Sequence, residues 1–200
     1  MCIRDRRHPL ARSHCQGTRE INSFGVFRKI TEEDNLKDYQ KIPYHLVFDV
    51  KFDGRRKARL VADGNWTDVP KEDVYSGVVG LDTVRLGFQL AALNDLVVCA
   101  ADVGTAFLHG YTREKAYIVA GPEFEGLEGL PLIIRRGIYG LRSSSARFHE
   151  HLAQRIRELG FRPSKADPDL YIRDKGDYYE YLATYVDDIL IFSRQPMQIR

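Results

Sequence analysis

Residues Leu182–Phe192 read LATYVDDILIF, two adjacent carboxylates inside an otherwise strand-like and largely apolar run. Two readings are open. Asp is common in tight turns, so two β-rich segments joined at Asp187-Asp188 form a hairpin. The second reading starts from the neighbours: Tyr185, Val186, Ile189, Leu190 and Ile191 bring the turn close to a core. An ionised carboxylate buried there without a partner costs several kcal/mol. The nearest following basic residue is Arg194. A divalent cation is then the natural compensating charge, and hard oxygen donors favour magnesium or manganese. That reading requires another carboxylate elsewhere in the chain and a polyanionic substrate.

Asp102 closes a second strand-like run, LVVCAAD over 96–102, read as a buried strand. Alone it is a strand-end capping residue. Taken with Asp187 and Asp188 it completes a set of carboxylates from separate strands, converging at one sheet edge. Such a set can hold two cations about 3.5–4 Å apart, one activating a nucleophile and one steadying the leaving oxygen. Around it the chain reads AADVGTAFLHG. Gly104 allows close backbone approach, and Thr105 opens a short helical turn whose N–H groups can face an anion. Phe107, five residues after Asp102, is by spacing alone an ordinary core aromatic.

Outward from these runs, HLVFDVKFDGRRKARLV (45–61) alternates about Asp53-Gly54 as a hairpin whose second arm is basic. A loop covers Asp68-Val69-Pro70. Leu81 to Asn94 has helical spacing, with Asp82 or Thr83 as cap and Val84, Phe88, Ala91 and Leu93 in one stripe. Tyr117–Ala120 and Leu132–Arg135 read as short strands. Ser143 to Leu159 is the clearest helix, with Phe148, Leu152, Ile156 and Leu159 on one side and Gly160 as its stop. Leu170–Arg173 and Tyr178–Val186 are strands about the turn at 174–177, and Ile189–Ser193 closes the opening hairpin. Helices interrupting an antiparallel sheet make the fold α+β.

At 200 residues, 44% hydrophobic and 29% charged, the chain has the length and composition of one globular domain. No apolar run approaches the roughly 20 residues that span a bilayer, so no membrane partner is expected. A net charge of +2 leaves any polyanion partner to local basic clusters. Cys2, Cys15 and Cys99 are too scattered for a disulfide framework or a zinc site, which suits a reducing compartment. His149 and His151 lie two apart on a helix and point to different faces, which argues against a shared metal. Residues 1–20, with His8, His14 and Cys15, are basic and aperiodic. They read as a flexible leader, no secretory signal, with a non-native origin left open.

Several segments together resemble one family. ADVGTAFLHG (101–110) resembles the first catalytic motif of reverse transcriptases, and YVDDIL (185–190) the second. RRGIYGLRSSSARFHEHL (135–152) is similar to the LYGLKQ segment of the copia-type LTR retrotransposon branch. FDVKFDGRRKARLVADGN (48–65) resembles that branch's basic fingers hairpin, and VYSGVVGLDTVRLGFQLAALNDL (74–96) its helix before the first Asp. GFRPSKADPDLYIR (160–173) matches its approach to the YVDD hairpin. Order and spacing hold from near Gly25 to Ser193. A lone Asp-Asp says little; this ordered series is specific.

The resemblance implies a right-hand polymerase fold, fingers and palm over 21–200, whose antiparallel sheet carries the catalytic aspartates between helices. It implies an RNA-directed DNA polymerase joining dNTPs to a primer 3′-hydroxyl by a two-metal mechanism, with two Mg²⁺ or Mn²⁺ ions. Asp102 and Asp187 would be the principal ligands, Asp188 a weaker one, and the Val103 carbonyl a further one. Phe107 matches the aromatic gate that excludes a 2′-hydroxyl by clash. Lys57 and Arg59, on one strand face, are candidates for gripping the triphosphate, or a charged edge strand guarding itself. Tyr139 and Gly140 match the loop near nucleotide and template, and Arg142 stands where the branch has Lys. Ser143 replaces a common Gln and Asp63 a common Lys.

Implied partners are an RNA or DNA template with primer, dNTPs, and the rest of a Pol polyprotein: thumb, RNase H and integrase. The implied location is a cytoplasmic virus-like particle, or the nucleus. The sequence stops after the YVDD hairpin, so the piece is expected to polymerise weakly or not at all by itself. Two alternatives stand beside this reading: an inactive remnant that only binds nucleic acid, and a carboxylate-metal hydrolase that would release mononucleotides. The three intact aspartates weigh against the first; Phe107 and the basic hairpin are left unexplained by the second.

Overall fold

Local chemistry sets the elements, in a computed structural model that describes residues 21, 23–68, 70 and 74–199. The leader read at 1–20 and Val69 of the loop after Asp68 lie outside the described residues. Strands run over β1 (Phe27–Lys29), β2 (Gln40–Lys41), β3 (Tyr44–Val50), β4 (Arg56–Ala62), β5 (Val97–Asp102) and β6 (Ala116–Val119). They continue over β7 (Pro131–Ile134), β8 (Arg162–Pro163), β9 (Leu170–Asp174), β10 (Tyr179–Tyr185) and β11 (Asp188–Ser193). Helix α1 spans Leu81–Leu93 and α2 spans Ser144–Glu158. The chain divides into two units, residues up to Val74 with Phe107–Phe148, and Tyr75–Ala106 with residues from His149 onward.

In the first unit a four-stranded sheet has the order β1-β7-β6-β2, and β3 pairs with β4 as a separate ribbon. The expected turn lies at the ribbon's tip, where Gly54 adopts φ +79. Alternation along β4 buries Leu60 and Ala62, while Lys57 and Arg59 take the other face. Val26, Ile42, Ile118, Leu132 and Ile138 form the core around Phe124, whose ring meets Phe27 and Tyr44 edge-on. Burying each such aliphatic side chain contributes about 1.5–3 kcal/mol. One pair departs from the all-antiparallel expectation: β2 runs parallel to β6.

The second unit is a five-stranded antiparallel sheet, β5-β11-β10-β9-β8. Neighbouring residues Leu182 and Ala183 of β10 point to opposite faces and join different cores. On one face α1 packs Ala91 and Gly87 against Ala183 and Phe192; a Cβ on Gly87 would sit 2.7 Å from the Phe192 ring. On the other, α2 packs Ala153 and Ile156 against Tyr171 and Leu182. Within the sheet Glu180 is 2% exposed and accepts from Ser193 Oγ at 2.6 Å and Arg173 Nε at 2.7 Å. Burial alone would push its carboxyl up, yet the bonds from Ser193, Arg173 and Tyr178 together hold it below the usual range.

Three expectations are corrected. The run Leu96 to Asp102 is buried only at Leu96: β5, Val97–Asp102, is the sheet's edge, and five of its six residues are exposed. Of the α1 stripe, Ala91 is buried, Val84 packs against the same core and Phe88, 49% exposed, meets Phe192 edge-on at 5.7 Å, but Leu93 is 81% exposed; Gly87 joins the contact face because the close approach to Phe192 needs a small residue. Gly80, with no side-chain bond, is the N-cap in place of Asp82 or Thr83. Among the described residues no helix is long and apolar enough to cross a membrane.

Candidate active site

The hairpin that carries the carboxylates turns one residue earlier than Asp187-Asp188. Tyr185 pairs with Asp188, so Val186 and Asp187 are the two turn residues and Asp188 opens β11. Val186 adopts φ +54 and Asp187 has no positive φ, so Val stands at a left-handed turn position where Gly is preferred. A β-branched residue there costs on the order of 1–3 kcal/mol, and such strain gathers at functional sites. Thr105, three residues after Asp102, carries the same φ of +54. It precedes the short 3₁₀ turn Ala106–His109, where a helical turn was expected.

Pairing of β11 with β5 sets Asp188 directly opposite Asp102. The ladder continues past them, with the Val103 N–H donating to the Asp187 carbonyl at 2.8 Å. Asp102 and Asp188 are exposed and Asp187 is half-buried, so burial is not what calls for a cation. Opposition is: like charges directly across an antiparallel pair repel. Among the described residues, none of the three carboxylates has a side-chain hydrogen bond or ion pair. No three acidic, His or Cys side chains among the described residues are gathered as a ready metal cluster. The register fixes the backbones, while no group among the described residues bonds the three carboxylates. Unspent, acceptor-only oxygens at one sheet edge fit a hard divalent cation.

The remaining candidates gather in the first unit. Arg59 pairs with Asp49 at 3.3 Å and lies 5.7 Å from the centre of the Tyr139 ring. Tyr139 meets Phe107 edge-on at 5.0 Å, so Arg59, Tyr139 and Phe107 form one continuous cluster. Lys57 is two residues along the same face, opposite Asp49. The loop is clamped to β4: Ala62 N–H donates to the Tyr139 carbonyl at 2.8 Å. Gly140, at φ +87, lies so close that a Cβ would come within 1.9 Å of the Ala62 oxygen. Arg142 donates through Nε to the Gly64 carbonyl at 2.9 Å and through Nη2 to that of Asn65 at 3.2 Å. Asp63 pairs with His45 at 3.0 Å.

Residues 28–200 match the family described as reverse transcriptase (RNA-dependent DNA polymerase). The chain belongs to the reverse transcriptase family. It is 31% identical over 158 residues to the Pol polyprotein of transposon TNT 1-94 from Nicotiana tabacum, which covers 74% of this chain. The RE1 and RE2 transposon Pol polyproteins of Arabidopsis thaliana are 29% and 31% identical over 71% and 72% of it. These relatives place it in the copia-type branch. The chain spans only 10–12% of those relatives' length. A foamy viral protease-reverse transcriptase, solved with double-stranded DNA, is 18% identical with a TM-score of 0.46; the match covers 92% of this chain and 26% of that one.

Sequence reasoning passed over one residue of this reverse transcriptase chain. Glu114 Oε1 accepts from the Ser143 backbone N–H at 2.8 Å and from Ser143 Oγ at 2.5 Å, at the entry to α2. A carboxylate there also suits the positive end of the helix. Its own sequence context, YTREK, carries no signal of this.

Proposed function

We propose that the chain is the catalytic part of a retrotransposon RNA-directed DNA polymerase. The observation that carries this is the cross-strand pair of Asp102 and Asp188, with Asp187 beside it, in a reverse transcriptase chain. The reaction is attack of a primer 3′-hydroxyl on the α-phosphate of a deoxynucleoside triphosphate, with pyrophosphate leaving. Asp102, Asp187, Asp188 and the Val103 carbonyl would hold two divalent cations, which when bound would supply activation of that hydroxyl and neutralisation of the leaving charge.

Lys57 and Arg59 bind the triphosphate, Lys57 as a mobile charge and Arg59 as a fork already oriented by Asp49 and Tyr139. Phe107, set against Tyr139, presents a rigid ring to the sugar and rejects a 2′-hydroxyl by clash. Gly140 lets the loop backbone lie against β4, and Arg142 positions that loop through Gly64 and Asn65. None of these steps needs a covalent intermediate; positioning and charge carry the rate. Template and primer are gripped mainly through phosphates, so affinity falls with salt. The parent polyprotein works with thumb, RNase H and integrase parts, in a cytoplasmic virus-like particle or the nucleus.

The test is magnesium-dependent binding of a fluorescent dNTP to this chain, wild type against Asp187→Asn. Wild type should bind and the variant lose at least about tenfold, since charge-assisted contacts contribute about 1.5–3 kcal/mol. Equal binding by both, or release of mononucleotides from a polymer, overturns the proposal.

A further inference from the structure

Outside the residues assigned to catalysis, the first unit holds a basic and aromatic hollow of about 240 Å³. Its walls include Arg28, Tyr39, Tyr111, Arg113, Lys115 and Arg135. We propose that it binds one or two unpaired nucleotides of a single strand, a nucleic-acid contact separate from the polymerase chemistry above.

The charges are disposed for phosphate. Arg28 is taken up by Asp34. Among the described residues, Lys115 and Arg135 have no acidic partner. Glu114, the carboxylate in the lining, accepts from Ser143 and keeps its charge, which the basic side chains of the lining outnumber. Two exposed cations beside a small cavity are a phosphodiester site.

The aromatic part is built in advance. Tyr111 is 57% exposed, yet its ring is fixed from one side. The Arg136 guanidinium lies 4.2 Å from the ring centre, and its Nη2 donates to the tyrosine oxygen at 2.9 Å. Arg136 Nη1 is itself held by the carbonyls of Leu108 and His109, at 3.1 and 3.2 Å. A bridge between Tyr111 and Arg136, and Thr112 N–H donating to the Arg135 carbonyl at 3.0 Å, anchor the backbone. Tyr39 stands with Lys115 Nζ 5.9 Å from its ring centre.

An exposed ring locked in place beside cations that have no acidic partner is how proteins hold single strands, with bases stacked and phosphates neutralised. An acidic peptide would satisfy the cations and leave the rings unused. A duplex would hide the base faces. The volume falls below the roughly 300–1,000 Å³ of pockets that enclose a small molecule, which suits a passing residue of a polymer.

Anisotropy of a labelled oligo-dT ten-mer, titrated with the whole chain at several salt concentrations, tests this. Lys115→Gln with Arg135→Gln should weaken binding about tenfold. It should also lower the log–log salt slope by about 1.4, at roughly 0.7 per phosphate contact. Tyr111→Ala should cost at least about fivefold. Magnesium-dependent dNTP binding should stay unchanged, which separates this proposal's failure from failure of the polymerase reading. If a variant does not fold, photocrosslinking of a bromouridine ten-mer to the wild type decides: adducts on Tyr39 or Tyr111 support the site, adducts confined to the β3–β4 ribbon overturn it. Unchanged affinity and slope in the double variant, or displacement by an equal concentration of oligoglutamate, also overturn it.

Discussion

Arg59, Tyr139, Gly140 and Arg142 in the first unit are each fixed by another protein group, through an ion pair, ring contacts, a backbone clamp or two carbonyls. Asp102, Asp187 and Asp188 in the second unit have their backbones fixed by strand register, while among the described residues their carboxylates touch no partner. Under the proposed function, the contrast follows from what each set would bind. A guanidinium keeps spare donors after one protein contact, so it can be oriented beforehand at little loss. A carboxylate that is to ligate a cation must keep its lone pairs unspent, so order can come only from the backbone. The strain at Val186 and Thr105 belongs to the same solution: it sets chain direction beside oxygens that no side chain can hold.

The clamp on the loop is where this contrast breaks most easily. Gly140→Ala places a methyl within 1.9 Å of the Ala62 carbonyl, at a φ of +87. The loss should exceed about 3 kcal/mol, as clash and backbone strain add. Chemical denaturation should show the loss in the first unit's transition, along with weaker nucleotide binding. A near-neutral outcome would mean that the loop is not held against β4. A smaller break is Glu114→Gln, which keeps the shape but loses the charge at the α2 entry. Hydrogen bonds to a charged group contribute about 1.5–3 kcal/mol. A drop of about 1–2 kcal/mol, with KM for dNTP raised and kcat little changed, is expected from denaturation and steady-state kinetics. A kcat effect alone would place Glu114 in the chemistry instead.

What was legible in the sequence divides along the same line. The hairpin at Asp53-Gly54, the two helices and the strand ends carrying Asp102 and Asp188 follow from period, glycine and turn chemistry, which are local. Val97 to Asp102 is exposed against expectation because an apolar run cannot reveal whether it lies at a sheet's centre or its edge. The cation's motive changed with it, from burial to cross-strand opposition. Strands β1, β2 and β8 went unseen because two or three residues carry no periodicity. Glu114 on Ser143 is a contact 29 residues apart between polar side chains, with no pattern to announce it.

One buried carboxylate of the second unit sharpens the contrast with the three at the hairpin and the end of β5. Glu180 is held below its ordinary range by Ser193, Arg173 and Tyr178 against the opposing effect of burial. A depressed carboxyl stabilises above its unfolded pKa, about 4.3, and that contribution is lost as pH falls through the lower folded value. Unfolding free energy should therefore drop between pH 4.5 and the acid limit, and Glu180→Gln should flatten that limb while lowering stability at neutral pH. An unchanged acid limb would assign the slope to other acids, Asp34 foremost, which its bonds to Arg28 and Thr31 also hold far down.

The smallest effect has the opposite sign. Asp188→Asn removes one of two like charges that face each other across β5 and β11. A like-charge pair of this kind costs about 0.2–1 kcal/mol, so the variant should gain about that much in unfolding free energy at low salt. The gain should shrink by 1 M salt, where screening reaches about 3 Å. A residue kept for structure would lose stability on replacement, whereas one kept for a ligand gives stability back when its charge is removed. Should Asp188→Asn instead unfold more easily at every salt concentration, the carboxylate would have a structural partner, and the acidic edge would be as prearranged as the basic cluster.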